Sequence, residues 1–201
     1  MEQKSARVRI IDAAHQLMLT IGLARATTKE IARVAGCSEA ALYKHFASKE
    51  ELFVAVLKER LPRLNPLLKR LIASPGAGER TVEQNLTEIA RQAALFYEQS
   101  FPIAASLYAE PRLKERHNEA MRELGTGPHM PIRGLDAYLR SERAAGRVRA
   151  DADTYAAASL LLGACAQRAF AYEATADGTP PQPLAEFAAS LARTLMRGVG
   201  A

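Results

Sequence analysis

A chain of 201 residues with 48% hydrophobic and 24% charged side chains buries a core without covalent staples, and it excludes a disordered or collagen-like polymer. Its 27 Lys and Arg exceed 22 Asp and Glu, net +5 at pH 7, which permits binding to a polyanion without requiring it. Residues 1–60 hold 10 basic against 7 acidic groups and the other 141 hold 17 against 15, so the excess is denser in the first third.

Apolar residues recur at spacings of three and four along nearly the whole chain, and the alternation typical of strands is missing; this predicts an all-α protein of about nine or ten helices. The spacing of Ile10, Ala14, Leu17, Met18 and Ile21 predicts a first helix over about 6–20, stopped by Gly22. Thr27-Thr28-Lys29-Glu30 reads as a capping box, with Glu30 reaching back to the cap, and opens a short helix ending at Gly36. Ser38 caps a third helix with Ala41, Leu42 and Phe46 inward, and Ser48-Lys49-Glu50-Glu51 opens a fourth with Leu52, Phe53, Val56, Leu57 and Leu61 buried. Pro62 ends or kinks that helix, and Ser74-Pro75-Gly76-Ala77-Gly78 reads as a linker. Thr81 to Gln84 caps a long helix with Val82, Leu86, Ile89, Ala93, Phe96 and Tyr97 inside, while Pro102 and Pro111 each suit the first position of a new helix. Gly125 to Pro128 breaks the chain again. Three further helices are expected over about 131–145, 154–174 and 183–197, the second capped by Asp151 or Asp153.

Cys37 and Cys165 lie far apart and in no C-x-x-C pair, so they build neither a disulfide framework nor a four-ligand zinc site. The opening MEQKSARVRIIDAAHQL lacks the unbroken apolar stretch of an export signal, and the Ala-rich YAAASLLLGACAQRAFAY falls short of a bilayer span. The expectation is a cytoplasmic protein with no membrane partner.

Two short helices joined by the tight turn at Ala35-Gly36-Cys37-Ser38 make a helix-turn-helix, a motif that presents its second helix to the DNA major groove. The run from Thr27 to Leu52 fills every position of T-x-x-x-I-A-x-x-A-G-x-S-x-x-x-L-Y-x-x-F-x-S-K-x-x-L and resembles the N-terminal domain of TetR-family regulators over about residues 6–58. The resemblance implies a helix-turn-helix DNA-binding domain over about 1–48, followed over 49–201 by a helical effector-binding and dimerisation domain. Carried onto this chain, it implies phosphate contacts from Thr28, Tyr43, His45 and Lys49, with Lys29 beside them, and base-edge contacts from Glu39, Ala40 and Lys44. Hydroxyl and ammonium donors suit phosphate oxygens, and helix N-termini favour anions; Tyr43 and His45 also read as packing residues beside Phe46. Ala40-Ala41 stands where the family often has Gly and a hydroxyl residue. Without Arg, Asn or Gln at the head of this helix, base reading falls to methyl contacts with thymine and to Glu39 accepting from cytosine, leaving part of the specificity to DNA shape. Cys37 stands where an aliphatic residue is usual and reads as a small hydrophobe, against a redox-sensing alternative.

In the later two thirds, Phe96, Phe101, Tyr108, Met121, Tyr138, His117, Cys165 and Arg168 are candidate lining of a mostly apolar effector pocket; core packing is the competing reading of each. His117 near Glu110, Glu115 and Glu119 reads as part of a solvated helix face, with no metal expected. Leu160, Leu161, Ala164, Ala188, Leu191 and Leu195 form a small-plus-leucine stripe suited either to core or to the two-helix dimer interface that the resemblance implies. Leu17, Ile21, Leu52 and Val56 would carry movement from the sensing half to Tyr43 and Lys44. No G-x-S-x-G, H-E-x-x-H, P-loop or dinucleotide fingerprint occurs. The combined expectation is a homodimeric, effector-responsive DNA-binding regulator on a palindromic operator, a repressor in preference to an activator, with no catalytic activity and no cofactor. The alternative is a small-molecule-binding protein or enzyme with an incidental N-terminal bundle.

Overall fold

The computed structural model describes residues 5–22, 25–60, 64–73, 80–109, 111–123, 125, 127–171 and 182–198. The side chain of Leu57, together with Leu61, Pro62, the expected linker over 74–78 and Glu110, lies outside the described parts. Among the described residues there are ten helices and no strand: α1 (Ala6–Thr20), α2 (Thr28–Ala35), α3 (Glu39–Tyr43), α4 (Lys49–Arg60), α5 (Leu64–Ala73), α6 (Val82–Tyr108), α7 (Pro111–Glu123), α8 (Met130–Ala144), α9 (Thr154–Ala171) and α10 (Leu184–Arg197).

The chain divides into two compact units, one of residues 1–61 with 99–127 and one of residues 62–98 with 128–201. In the first unit α1 packs on α2 and α4, α2 on α3, and α4 on α7. Its core joins Ile10, Ile11, Ala14, Leu17, Ile31, Leu42, Phe46, Leu52, Phe53 and Val56 with Ile103 and Leu107. In the second unit α8 packs on both α5 and α9, and α9 on α10, around Leu68, Leu86, Ile89, Leu135, Tyr138, Leu161, Leu162 and Cys165.

The helix starts follow the capping chemistry. Ser5, Thr27, Ser38, Ser48, Thr81 and Asp153 each accept from a backbone N–H three residues on, satisfying donors that the helix itself cannot. Glu51 and Gln84 reach back, to the N–H groups of Ala47 and Thr81. Glu30 does not: it turns forward to pair with Arg33 one turn on, where a charge-assisted double hydrogen bond is stronger than a neutral cap.

Three further expectations change. Pro102 sits inside α6 instead of starting a helix; the core side chains on either side of it, Ala93, Ala94, Ile103 and Leu107, keep their helical spacing and outweigh one lost backbone hydrogen bond. Ile21 is 41% exposed, because α1 ends at Thr20 and the chain leaves the helical face there. His117 is buried while Glu115 and Glu119 on the same helix are exposed, so the imidazole belongs to the inner face of α7 and not to a solvated one.

Candidate nucleic-acid interface

The turn between α2 and α3 is built by backbone chemistry. Gly36 adopts φ 67°, ψ 42°, a left-handed conformation that costs a residue with a Cβ about 1 kcal/mol or more. Its N–H bonds Arg33 O at 3.2 Å and the Cys37 N–H bonds Ala32 O at 3.0 Å, the paired closure that terminates a helix and redirects the chain. Cys37 packs half-buried against the first core, the apolar contact that usually accompanies such a closure. The Arg9 Nε donates to Ala35 O at 3.1 Å and so ties α1 to the end of α2. That link was invisible in the sequence, because its acceptor is a backbone carbonyl.

Leu42 is fully buried and anchors α3. With that side fixed, Glu39, Ala40, Tyr43 and Lys44 of the helix and its cap, followed by His45, are all exposed. Lys29 is exposed at the start of α2, whose backbone N–H groups favour an anion. Thr28, half-buried, and Tyr43 meet across the motif: the Tyr43 hydroxyl lies 3.5 Å from Thr28 Oγ1, and Thr28 Oγ1 donates to Glu39 Oε1. Lys49 is held differently. Its ammonium stands 5.1 Å from the Phe53 ring centroid, and burial lowers its pKa below the ordinary lysine value. Seven of the eight candidate DNA-facing residues therefore lie on or beside α2 and α3, and Lys49 lies at the head of α4.

The eight candidate pocket residues divide evenly between the units: Phe101, Tyr108, His117 and Met121 in the first, Phe96, Tyr138, Cys165 and Arg168 in the second. Tyr108 is 63% exposed, under the Lys114 ammonium. His117 Nδ1 is buried without a hydrogen bond, and burial lowers the imidazole pKa against a smaller opposing effect of Glu50. In the second unit, Tyr138 accepts from Asn85 Nδ2 at 2.9 Å and burial pushes its pKa up to about 12. The Cys165 thiol donates to Ala90 O at 3.4 Å and is likewise pushed up to about 12 by burial, which leaves no reactive thiolate. Arg168 donates to Gln182 O at 3.0 Å and lies over the Phe187 ring. These partners are those of core polar groups. A groove of about 280 Å³ in the second unit is lined by Pro66, Leu67, Arg70, Glu88 and Gln92, none of them a candidate.

Of the candidate interface residues, Leu161 and Ala188 are fully buried within the single chain, while Leu160 is 66% exposed; Ala164, Leu191 and Leu195 are half-buried. Tyr155 and Phe170 on α9 are also exposed. Among the described residues no group of His, Cys, Asp and Glu is arranged to hold a metal, and no helix is long and apolar enough to cross a membrane.

A capped helix pair whose second helix exposes Ala40 and Tyr43, with Lys44 and His45 exposed just beyond it, has the form of a helix-turn-helix motif. Residues 10–56 match the model of the tetR family of bacterial regulatory proteins. It is 46% identical over 59 residues to the uncharacterized HTH-type transcriptional regulator TtgW of Pseudomonas putida, a stretch covering 29% of this chain and 44% of TtgW. The chain thus spans less than half the length of that relative. A putative TetR-family regulator from Mesorhizobium loti superposes with a TM-score of 0.68 at 22% identity, covering 98% of both chains. The regulator FadR from Bacillus subtilis, in complex with stearoyl-CoA, superposes with a TM-score of 0.68 at 17% identity over 96% of this chain and 99% of its own. At such identities the likeness is one of fold.

Proposed function

We propose that this chain is a transcriptional regulator that binds a palindromic DNA operator as a cytoplasmic homodimer and is released from it by a small, mostly apolar organic effector. The observation that carries the reading is the α2–turn–α3 element, with Lys29, Tyr43, Lys44 and His45 exposed around it inside the stretch that matches the family. Phosphate contacts from Thr28, Lys29, Tyr43, His45 and Lys49 set the position on the duplex, and Glu39, Ala40 and Lys44 face the bases. The exposed Leu160 on α9 supports a partner-facing surface there, and a two-fold dimer matches a two-fold operator. The stearoyl-CoA bound by the FadR neighbour supports an apolar effector for this fold. Regulation, and not catalysis, is the activity proposed.

Fluorescence anisotropy with duplex DNA from upstream of the chain's own coding region tests the reading. Sequence-preferring binding that weakens steeply with salt is the expected result. Equal affinity for that duplex and a shuffled one would favour the rival reading of an enzyme or binding protein with an incidental bundle.

A further inference from the structure

Thr28 opens α2, Glu39 opens α3 and Tyr43 closes it, yet the three side chains form one hydrogen-bonded row. Thr28 Oγ1 donates to Glu39 Oε1 at 2.5 Å, and Tyr43 Oη stands 3.5 Å from Thr28 Oγ1, in position to donate to it. A hydroxyl carries one proton. While Thr28 gives that proton to Glu39, it has none for a DNA phosphate, and the carboxylate stands where an anion accepting from Thr28 would stand.

Resting on the reading of α2 and α3 as the DNA-binding element, we infer that Glu39 is a specificity-determining residue that works by exchange. In free protein, and on non-cognate DNA, Glu39 keeps the Thr28 proton and sets a negative charge against the phosphates. At a cognate site the N4 amino group of a cytosine donates to Glu39, and the released Thr28 hydroxyl donates to a backbone phosphate. Donors and acceptors balance: the carboxylate loses one donor and gains one, the phosphate gains one, and the Tyr43 hydroxyl, held to Thr28 only by a long contact, turns its own proton to a neighbouring phosphate. Without a cytosine, the same movement leaves a carboxylate in the groove with no donor, which is disfavoured. One acidic residue thereby makes a phosphate contact conditional on a base, at the head of a helix where Ala40 offers only a methyl group.

The test uses the full chain and three probes: a duplex selected by the wild-type protein from a random pool, the same duplex with each C·G pair changed in turn to T·A, and a scrambled duplex. Thr28→Val, Glu39→Ala and the double variant are measured by anisotropy at fixed salt, with circular dichroism confirming the helix content of each. Glu39→Ala is expected to bind scrambled DNA about tenfold more tightly and to become indifferent to one C·G pair that costs the wild type about tenfold. In the Thr28→Val background, the gain from Glu39→Ala on scrambled DNA should shrink by about threefold or more, because the hydroxyl it would liberate is absent. Glu39→Gln, which still accepts from Thr28 but pairs with adenine, should move the preference at that position from cytosine to adenine. An equal gain with and without Thr28 would reduce Glu39 to simple charge repulsion and overturn the inference, as would cytosine preference surviving in Glu39→Ala. Wild-type protein that binds none of the duplexes even at low salt would instead remove the DNA-binding reading, and this inference with it.

Discussion

Tyr43 and Lys49 are both donors suited to phosphate, but they start from different surroundings. The exposed Tyr43 hydroxyl has only a long contact, to Thr28, so Tyr43→Phe should lower affinity for selected and scrambled duplexes by a similar factor, about fivefold. Lys49 must leave the Phe53 ring to reach a phosphate. Lys49→Ala should weaken all sequences alike and reduce the slope of log affinity against log salt by about one, read from an anisotropy salt series. A change of base preference in either variant would place that side chain on base edges. His117 offers a measurement on the free protein. Burial holds its folded pKa below the usual 6.5, so the unfolded chain binds more protons between those two values. Stability should therefore fall as pH drops below about 6.5, and thermal melts of His117→Gln should show a shallower decline over that range than the wild type.

At the scale of elements, the helix pair depends on its turn and the second unit on one close approach. Gly36→Ala forces a Cβ into the left-handed region and should cost about 1 kcal/mol or more; Ser38→Ala removes the acceptor for the Ala41 N–H and should cost about 1 kcal/mol. Urea melts of both variants check this, and DNA affinity should fall further than stability because the cap aims the recognition helix. In the second unit a Cβ on Gly134 of α8 would meet Leu68 Cδ1 of α5 at 3.1 Å. Gly134→Leu should therefore part α5 from α8 and lower the melting temperature by several degrees, on the order of 1–3 kcal/mol of overpacking. Asp136 links α8 to α9: it accepts from Thr154 Oγ1 at 2.7 Å and pairs with Arg140. Burial pushes its pKa up, but those hydrogen bonds outweigh it and hold the carboxyl low.

For the whole molecule, adjacent leucines on α9 are expected to separate folding from the proposed assembly. Leu160 is 66% exposed and Leu161 fully buried. Leu160→Glu should leave the helix content unchanged and yield a monomer by light scattering, whereas Leu161→Glu places a charge inside the second core and should unfold it, at a cost of several kcal/mol. A wild type that is monomeric at micromolar concentration would remove both the interface and the palindromic operator. Coupling between effector and DNA is the second expectation at this scale. An effector that binds the DNA-incompetent form about 100-fold more tightly shifts the equilibrium by about 2.7 kcal/mol, and by linkage operator DNA must weaken effector binding equally. Effector titrations with and without operator measure it; equal affinities would show that the effector site is not coupled to DNA.

The sequence by itself determined the helix starts, the turn at Gly36 and the burial of Leu42 in α3, because caps, left-handed glycines and three-and-four spacing act within a few residues of one another. Only the tertiary structure decided which of two plausible partners an apolar or polar side chain takes. Leu160 and Leu161 are chemically alike, and just one of them has neighbouring helices around it; His117 reads as wet until α7 is packed on α4; Pro102 reads as a helix start until it is found inside α6. The row from Tyr43 through Thr28 to Glu39 joins residues 11 and 15 positions apart, and such a pairing becomes visible only once the turn has laid α3 across α2. Periodicity reports which face of a helix is buried, but what covers that face depends on elements distant in the chain, and there the local signal ends.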